Sequence, residues 1–157
     1  MNDLEIIEKT KSLLGDKIVE IANPAVRRIF IKIEPQNLVP VVGGLRKHLN
    51  ITYLATVSGV DLGESFEILY HFGHSNGSLT VRTQIPRANP HIESICSAIP
   101  GAILYERELQ DMFGIVVDHL PDPRQLVLPD GRPAGNFPLR KDWKFERPEE
   151  IIPGGKK

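Results

Sequence analysis

The first fourteen residues repeat at helical spacing. Leu4, Ile7 and Leu14, with Lys11 between them, follow one face. Asn2 with Glu5 three positions on forms a capping pair, and Gly15 marks the stop. From Lys17 to Glu34 β-branched residues accumulate, and Arg28–Glu34 alternates as a half-buried strand does. Pro35 then opens a first helical turn, and Leu38, Val41, Val42, Leu45 and Leu49 recur at three-and-four spacing up to Asn50, which predicts an amphipathic helix. Three further strands are predicted over 51–60, 65–72 and 78–85, joined by short polar loops with glycine, the pattern of an antiparallel meander. Asn89–Pro90 reads as the start of a short helix through Ile92, Ile95 and Cys96 that ends before Pro100. A last helix is predicted from about Ala102 to Phe113, with Ala102, Tyr105, Leu109, Met112 and Phe113 on one side.

Beyond Val117 the pattern breaks. Seven of the thirteen prolines (Pro121, Pro123, Pro129, Pro133, Pro138, Pro148 and Pro153) fall in the last forty residues, too closely spaced for a long helix or a central strand. Leu126, Val127, Leu128, Phe137, Leu139, Trp143 and Phe145 nevertheless run through this stretch. An extended arm with Leu126, Leu128, Phe137, Leu139 and Trp143 as apolar anchors is expected, docked on something rather than free. The expected architecture is α+β: a mixed, mainly antiparallel sheet of four or five strands with helices packed on one face, spanning 1–117, and the proline-containing arm over 118–157.

Composition narrows the functional classes. Nineteen basic and twenty acidic residues in 157 nearly cancel, which removes the field that non-specific nucleic-acid binding needs. The single cysteine, Cys96, cannot close an internal disulfide, and no Cys-x-x-Cys pair is present to hold zinc or an iron–sulfur cluster. A reducing compartment is expected. The acidic start Asn2-Asp3-Leu4-Glu5 is unlike a secretory signal, and no stretch approaches eighteen or so uncharged apolar residues, so no membrane span is expected.

The chemistry-bearing residues concentrate around the last helix. Arg107 and Asp111 are four apart and can face one another, while Glu106, Glu108 and Asp111 leave an acidic excess toward a helix C-terminus that calls for a basic partner. A solvated polar face is the plain reading. The sharper one is a set of buried or interfacial ion pairs with Arg124, Arg140 or Lys141 from the arm. Glu106 and Glu108 point in different directions, which argues against a catalytic acid pair. His71, His74 and His91 are the alternative: a small metal-binding module or stand-alone enzyme. Their spacing straddles a strand end and a loop, where it carries little geometric information.

Three ordered blocks carry a family resemblance. Tyr105-Glu106-Arg107-Glu108-Leu109-Gln110-Asp111-Met112-Phe113-Gly114-Ile115, Pro121-Asp122-Pro123-Arg124-Gln125-Leu126-Val127-Leu128-Pro129-Asp130 and Phe137-Pro138-Leu139-Arg140-Lys141-Asp142-Trp143 resemble the signature of the thirty-kilodalton subunit of respiratory complex I. The same signature occurs in the related subunit of group 4 membrane-bound nickel–iron hydrogenases. The resemblance implies a non-catalytic subunit of the peripheral arm, on the cytoplasmic face of the membrane. Its partners would be a large catalytic subunit, forty-nine-kilodalton-like or of hydrogenase type, and iron–sulfur subunits. No cofactor is expected in this chain; iron–sulfur clusters and nickel–iron belong to the partners. Glu106, Arg107, Asp111, Arg124, Arg140, Lys141 and Asp142 are then expected in structural or interfacial ion pairs. The chain departs from the family in Asp118-His119-Leu120-Pro121-Asp122 and in the step Pro123-Arg124-Gln125.

Overall fold

The computed structural model describes residues 2–74, 77–131 and 133–144; Phe145, Pro148 and Pro153 lie outside the described residues. The first helix, α1 (Asp3–Leu14), carries the anticipated capping box: Asn2 Oδ1 accepts from the Glu5 N–H at 2.9 Å and Glu5 Oε2 accepts from the Asn2 N–H at 3.2 Å. Its buried stripe is Ile6, Thr10 and Leu14, with Leu4 exposed, so the helix is rotated from the face its apolar spacing suggests. Leu14, common to both faces, packs against Gly44, where a Cβ would meet its methyl carbon at 2.6 Å.

Two strands replace the single one expected before Pro35: β1 (Ile18–Ala25) and β2 (Arg28–Ile33) form a hairpin turned by Arg27 at φ 66°. Pro24 and two register shifts confine β1 to the sheet edge and break the alternation that would mark it in the sequence. A short turn at Pro35–Asn37 leads into α2 (Leu38–Leu49), which ends at Asn50 in the left-handed region. The anticipated meander follows as β3 (Tyr53–Asp61), β4 (Ser65–His74) and β5 (Gly77–Pro86).

The five strands order as β1-β2-β5-β4-β3, antiparallel throughout except where β5 lies parallel to β2. Period-two alternation then sorts the side chains. Ile29, Ile31, Leu79, Val81, Phe66, Ile68, Tyr70 and Phe72 point to one face and are buried beneath the helices. The opposite face carries Phe30, Lys32, Arg82, His71 and Leu69, with Arg82 paired to Glu67.

The expected helix after Asn89 is absent. His91–Glu93 is a strand, β6, that pairs in parallel with β7 (Val116–Asp118) beyond the last helix, α3 (Ile103–Phe113). Ile92, Ile95 and Cys96 are buried as anticipated, but three apolar positions fit a strand and turn as well as a helix. Tertiary bonds decide: the Val116 N–H reaches Pro90 O and the Ser94 N–H reaches Asp118 O.

The face assignments predict a contrast. Ile31→Ala, at a fully buried central position, is expected to lower the unfolding free energy in urea by about 2–5 kcal/mol. Val26→Ala, at the 85% exposed hairpin tip, is expected to change it by less than about 0.5 kcal/mol. Equal effects would refute the layer assignment.

Candidate functional site

Helix α3 presents two charged side chains to the arm, four residues apart on one face. Each takes hold of arm backbone. The Arg107 guanidinium donates from Nε to Arg124 O and from Nη2 to Gln125 O, both at 2.7 Å, with Nη1 3.4 Å from Asp122. One turn on, Asp111 Oδ2 accepts from three successive backbone N–H groups: Leu126 at 2.9 Å, Val127 at 2.9 Å and Leu128 at 3.3 Å. Together they grip carbonyls at 124–125 and amides at 126–128, a stretch with no helix or strand of its own. Asp122 braces the turn by accepting from Arg124, whose hydrogen bonds hold its carboxyl well below the ordinary range.

A second attachment lies at the C-terminal end of α3. Gly114 takes φ 66°, and a Cβ there would overlap the Phe137 ring, so the position needs glycine for both backbone and space. The ring of Phe137 and that of Phe66 on β4 flank Arg140, its guanidinium carbon 4.4 Å and 5.2 Å from their centroids, while Nε donates to Phe113 O at 2.6 Å. Burial, with Arg87 nearby, lowers the Arg140 pKa from its ordinary value. Beside it, buried Asp61 at the end of β3 accepts from Arg87 at 2.7 Å and from the Lys141 N–H at 2.9 Å, and Arg87 also reaches Asp142 at 2.8 Å. Burial alone would raise the Asp61 carboxyl, but the bonds from Arg87, Lys141 and Gly63 prevail and hold it down to about 2.

Glu106 faces the other way and is fully buried. Its carboxylate receives the Ser94 hydroxyl at 2.6 Å, the Ile95 N–H at 2.8 Å and the Cys96 thiol at 3.3 Å, all neutral donors. Desolvation raises its pKa; the three donors offset part of the rise and the Glu93 charge adds to it. The same burial pushes the Cys96 thiol up to about 11, so it is a poor nucleophile near neutrality.

The expectation of a basic partner is corrected for Glu106, which is held by neutral donors. Asp111 holds arm amides, Arg107 and Arg124 both pair with Asp122, Arg140 holds a carbonyl and two rings, and Lys141 contributes its backbone. Asp142 does form an ion pair, with Arg87. Of the apolar anchors, Phe137 and Trp143 are half-buried, as is Leu128, while Leu126 and Leu139 stay exposed. The histidines do not converge. His71 meets Thr80 Oγ1 at 3.0 Å, His91 meets Asp118 at 3.1 Å, and among the described residues no three His, Cys, Asp or Glu groups form a metal-binding cluster. Asp61, Arg87, Phe66, Ser94 and Asp122 escaped sequence reasoning. Asp61, Asp122 and Ser94 carried a local signal, a turn in which the side-chain oxygen accepts from the N–H two residues on: Gly63 at 2.9 Å, Arg124 at 3.2 Å and Cys96 at 3.1 Å.

Known proteins share this architecture. The family described as "Respiratory-chain NADH dehydrogenase, 30 Kd subunit" matches residues 31–149, which run from the second half of β2 through α3 and both arm attachments. The chain belongs to that family. The C subunit of F(420)H(2) dehydrogenase from Methanosarcina mazei is 32% identical over 148 residues, covering 92% of this chain and 93% of that protein. The C subunit of NADH-quinone oxidoreductase from Nocardioides sp. is 34% identical over 137 residues, 80% of this chain but 54% of its own length, so this chain spans about half of that relative. The fold recurs in a chain of the membrane-bound sulfane sulfur reductase, an archaeal respiratory membrane complex. The TM-score is 0.80 at 20% identity, over 90% of this chain and 85% of that one.

Two outcomes are expected from these contacts. Asp111→Ala leaves three arm amides without their acceptor, and should loosen the arm by about 1–3 kcal/mol. The fluorescence of Trp143, the only tryptophan, should shift toward its unfolded position at denaturant concentrations that leave the far-ultraviolet circular dichroism unchanged. Coincident transitions in both probes would count against an arm held by this clamp. For Glu106 the sign follows from its raised pKa: its contribution to stability is complete below the unfolded value near 4.5 and is lost as pH climbs through the folded value. The stability advantage of the wild type over Glu106→Gln should therefore shrink as pH rises above 4.5, measured by urea titration from pH 4 to 8. A pH-independent difference would refute a strained buried carboxylate.

Proposed function

We propose that this chain is a non-catalytic scaffold subunit in the peripheral arm of a complex-I-like membrane-bound oxidoreductase, of NADH:quinone or group 4 nickel–iron hydrogenase type. Residues 1–117 form the α+β body, and the arm from 118 onward docks on the large catalytic subunit. The observation that carries the reading is the direction of the clamp. Arg107 and Asp111 take hold of the arm by its backbone, so Leu126 and Val127 stay 40% and 52% exposed, and Leu139, held through its N–H on Met112 O, stays 53% exposed. Apolar side chains displayed on a fastened, irregular segment are suited to a partner surface. The relatives named as subunits of NADH-quinone oxidoreductase and F(420)H(2) dehydrogenase support the same reading.

In this role Glu106, Arg107, Asp111 and Arg140 are structural, with Arg124, Lys141 and Asp142 at the rim of the interface. The chain carries no cofactor of its own. Iron–sulfur clusters, and nickel–iron where the parent complex is a hydrogenase, sit in the large and iron–sulfur subunits. No helix among the described residues is long and apolar enough to cross a membrane. The subunit is held peripherally, on the cytoplasmic face, through those partners.

The test is the triple variant Leu126→Asp, Val127→Asp, Leu139→Asp, compared with wild type by tag purification from native membranes in mild detergent. The isolated variant should melt within a few degrees of wild type, because these side chains are exposed. Recovery of the large subunit should fall at least about tenfold. Undiminished recovery, or measurable turnover by the isolated chain, would overturn the proposal.

A further inference from the structure

Arg140 is fixed in place by contacts that leave most of its hydrogen-bonding capacity unused. Nε donates to Phe113 O, and the guanidinium plane is held between Phe66 and Phe137. Among the described residues it forms no ion pair, although a guanidinium offers five N–H donors. The side chain forms part of the wall of a cavity of about 530 Å³ on the arm, whose other walls include Ala134, Asn136, Trp143 and Lys144.

Among the described residues that line the cavity, Arg140 and Lys144 stand against Asp142 alone, and that carboxylate is already engaged by Arg87. A partly desolvated cation with no direct ion pair among the described residues gains from a carboxylate, and one stacked on two rings has little rotamer freedom left to lose on binding. Its flat fork matches a carboxylate bidentately, which a lysine at the same place would not. Leu139, 53% exposed, immediately precedes Arg140, so an apolar side chain assigned to docking stands beside the cavity.

We propose that this cavity receives an aspartate or glutamate side chain from the large partner subunit, gripped by the Arg140 guanidinium with Lys144 at the rim. The inference rests on the docking reading above, and it names the chemistry of the contact. A protein carboxylate is favoured over a free anion because the cavity lies beside that apolar side chain rather than in an isolated part of the body.

The experiment uses the assembled complex from native membranes. A photo-reactive benzoylphenylalanine at Ala134, on the cavity wall, should cross-link to one partner peptide containing Asp or Glu. Replacing that acid by Asn or Gln should speed dissociation by roughly 30-fold or more. Arg140→Met should do the same and Arg140→Lys should restore only part, while the two changes combined should be no worse than either alone. Lys144→Glu, at an exposed position outside the clamp, should also weaken retention with the melting of the isolated chain unchanged, which separates recognition from folding. Additive losses in the double variant, or an intact complex with no cross-link from Ala134, would overturn the proposal and leave docking standing. If the wild-type chain emerges alone, the docking reading fails and this inference with it.

Discussion

Everything distinctive in this structure depends on one constraint: a backbone broken by prolines cannot satisfy its own N–H and C=O groups, so something else must. Over residues 124–128 that work falls to two side chains of α3. Arg107 serves the carbonyls and Asp111 the amides, from positions four apart on one face of the helix. The charges also suit their partners. A guanidinium projects several donors and a carboxylate oxygen accepts several hydrogen bonds, so one residue serves two or three peptide groups.

The same helix ties the body together on its other side. Glu106 reaches Ser94, Ile95 and Cys96, fixing the segment that leads out of β6, while the chain leaving α3 returns through Ile115 as β7 to pair with β6. At the C-terminal end, Gly114 gives Phe137 the space to lie close, and the Phe66–Phe113 contact at 5.9 Å joins α3 to the central sheet. A distortion of α3 is thus felt in the small sheet, the large sheet and the arm together. The acidic excess near its C-terminus is tolerated because Asp111 is embedded in donors, and Arg140 brings a positive charge to the last carbonyl at Phe113.

How much of this is legible in the sequence divides along physical lines. Local signals suffice for the Asn2–Glu5 cap, for Asn50 at the end of α2 and for the meander of β3 to β5, all decided by residues a few positions apart. The strand β6 is decided by contacts with Val116–Asp118, distant in the chain, and local spacing points the wrong way for it and for the face of α1. For the arm, the right residues stand out because charged and apolar types are conspicuous. Their partners do not, since backbone amides and carbonyls carry no letter in the sequence. Asp61 and Arg87, 26 residues apart and joined by a turn and two strands, give no spacing signal that would link them to the arm.

Backbone clamping has a consequence of its own. Beyond the Arg107–Asp122 contact the clamp holds peptide groups, so it specifies the path of residues 124–128 and leaves Leu126 and Val127 facing out. Leu126 and Val127 can then be chosen by what they meet rather than by what holds them. A clamp concentrated in α3 thus separates two tasks: residues of the helix set the path of the arm, and the side chains the arm displays take no part in setting it.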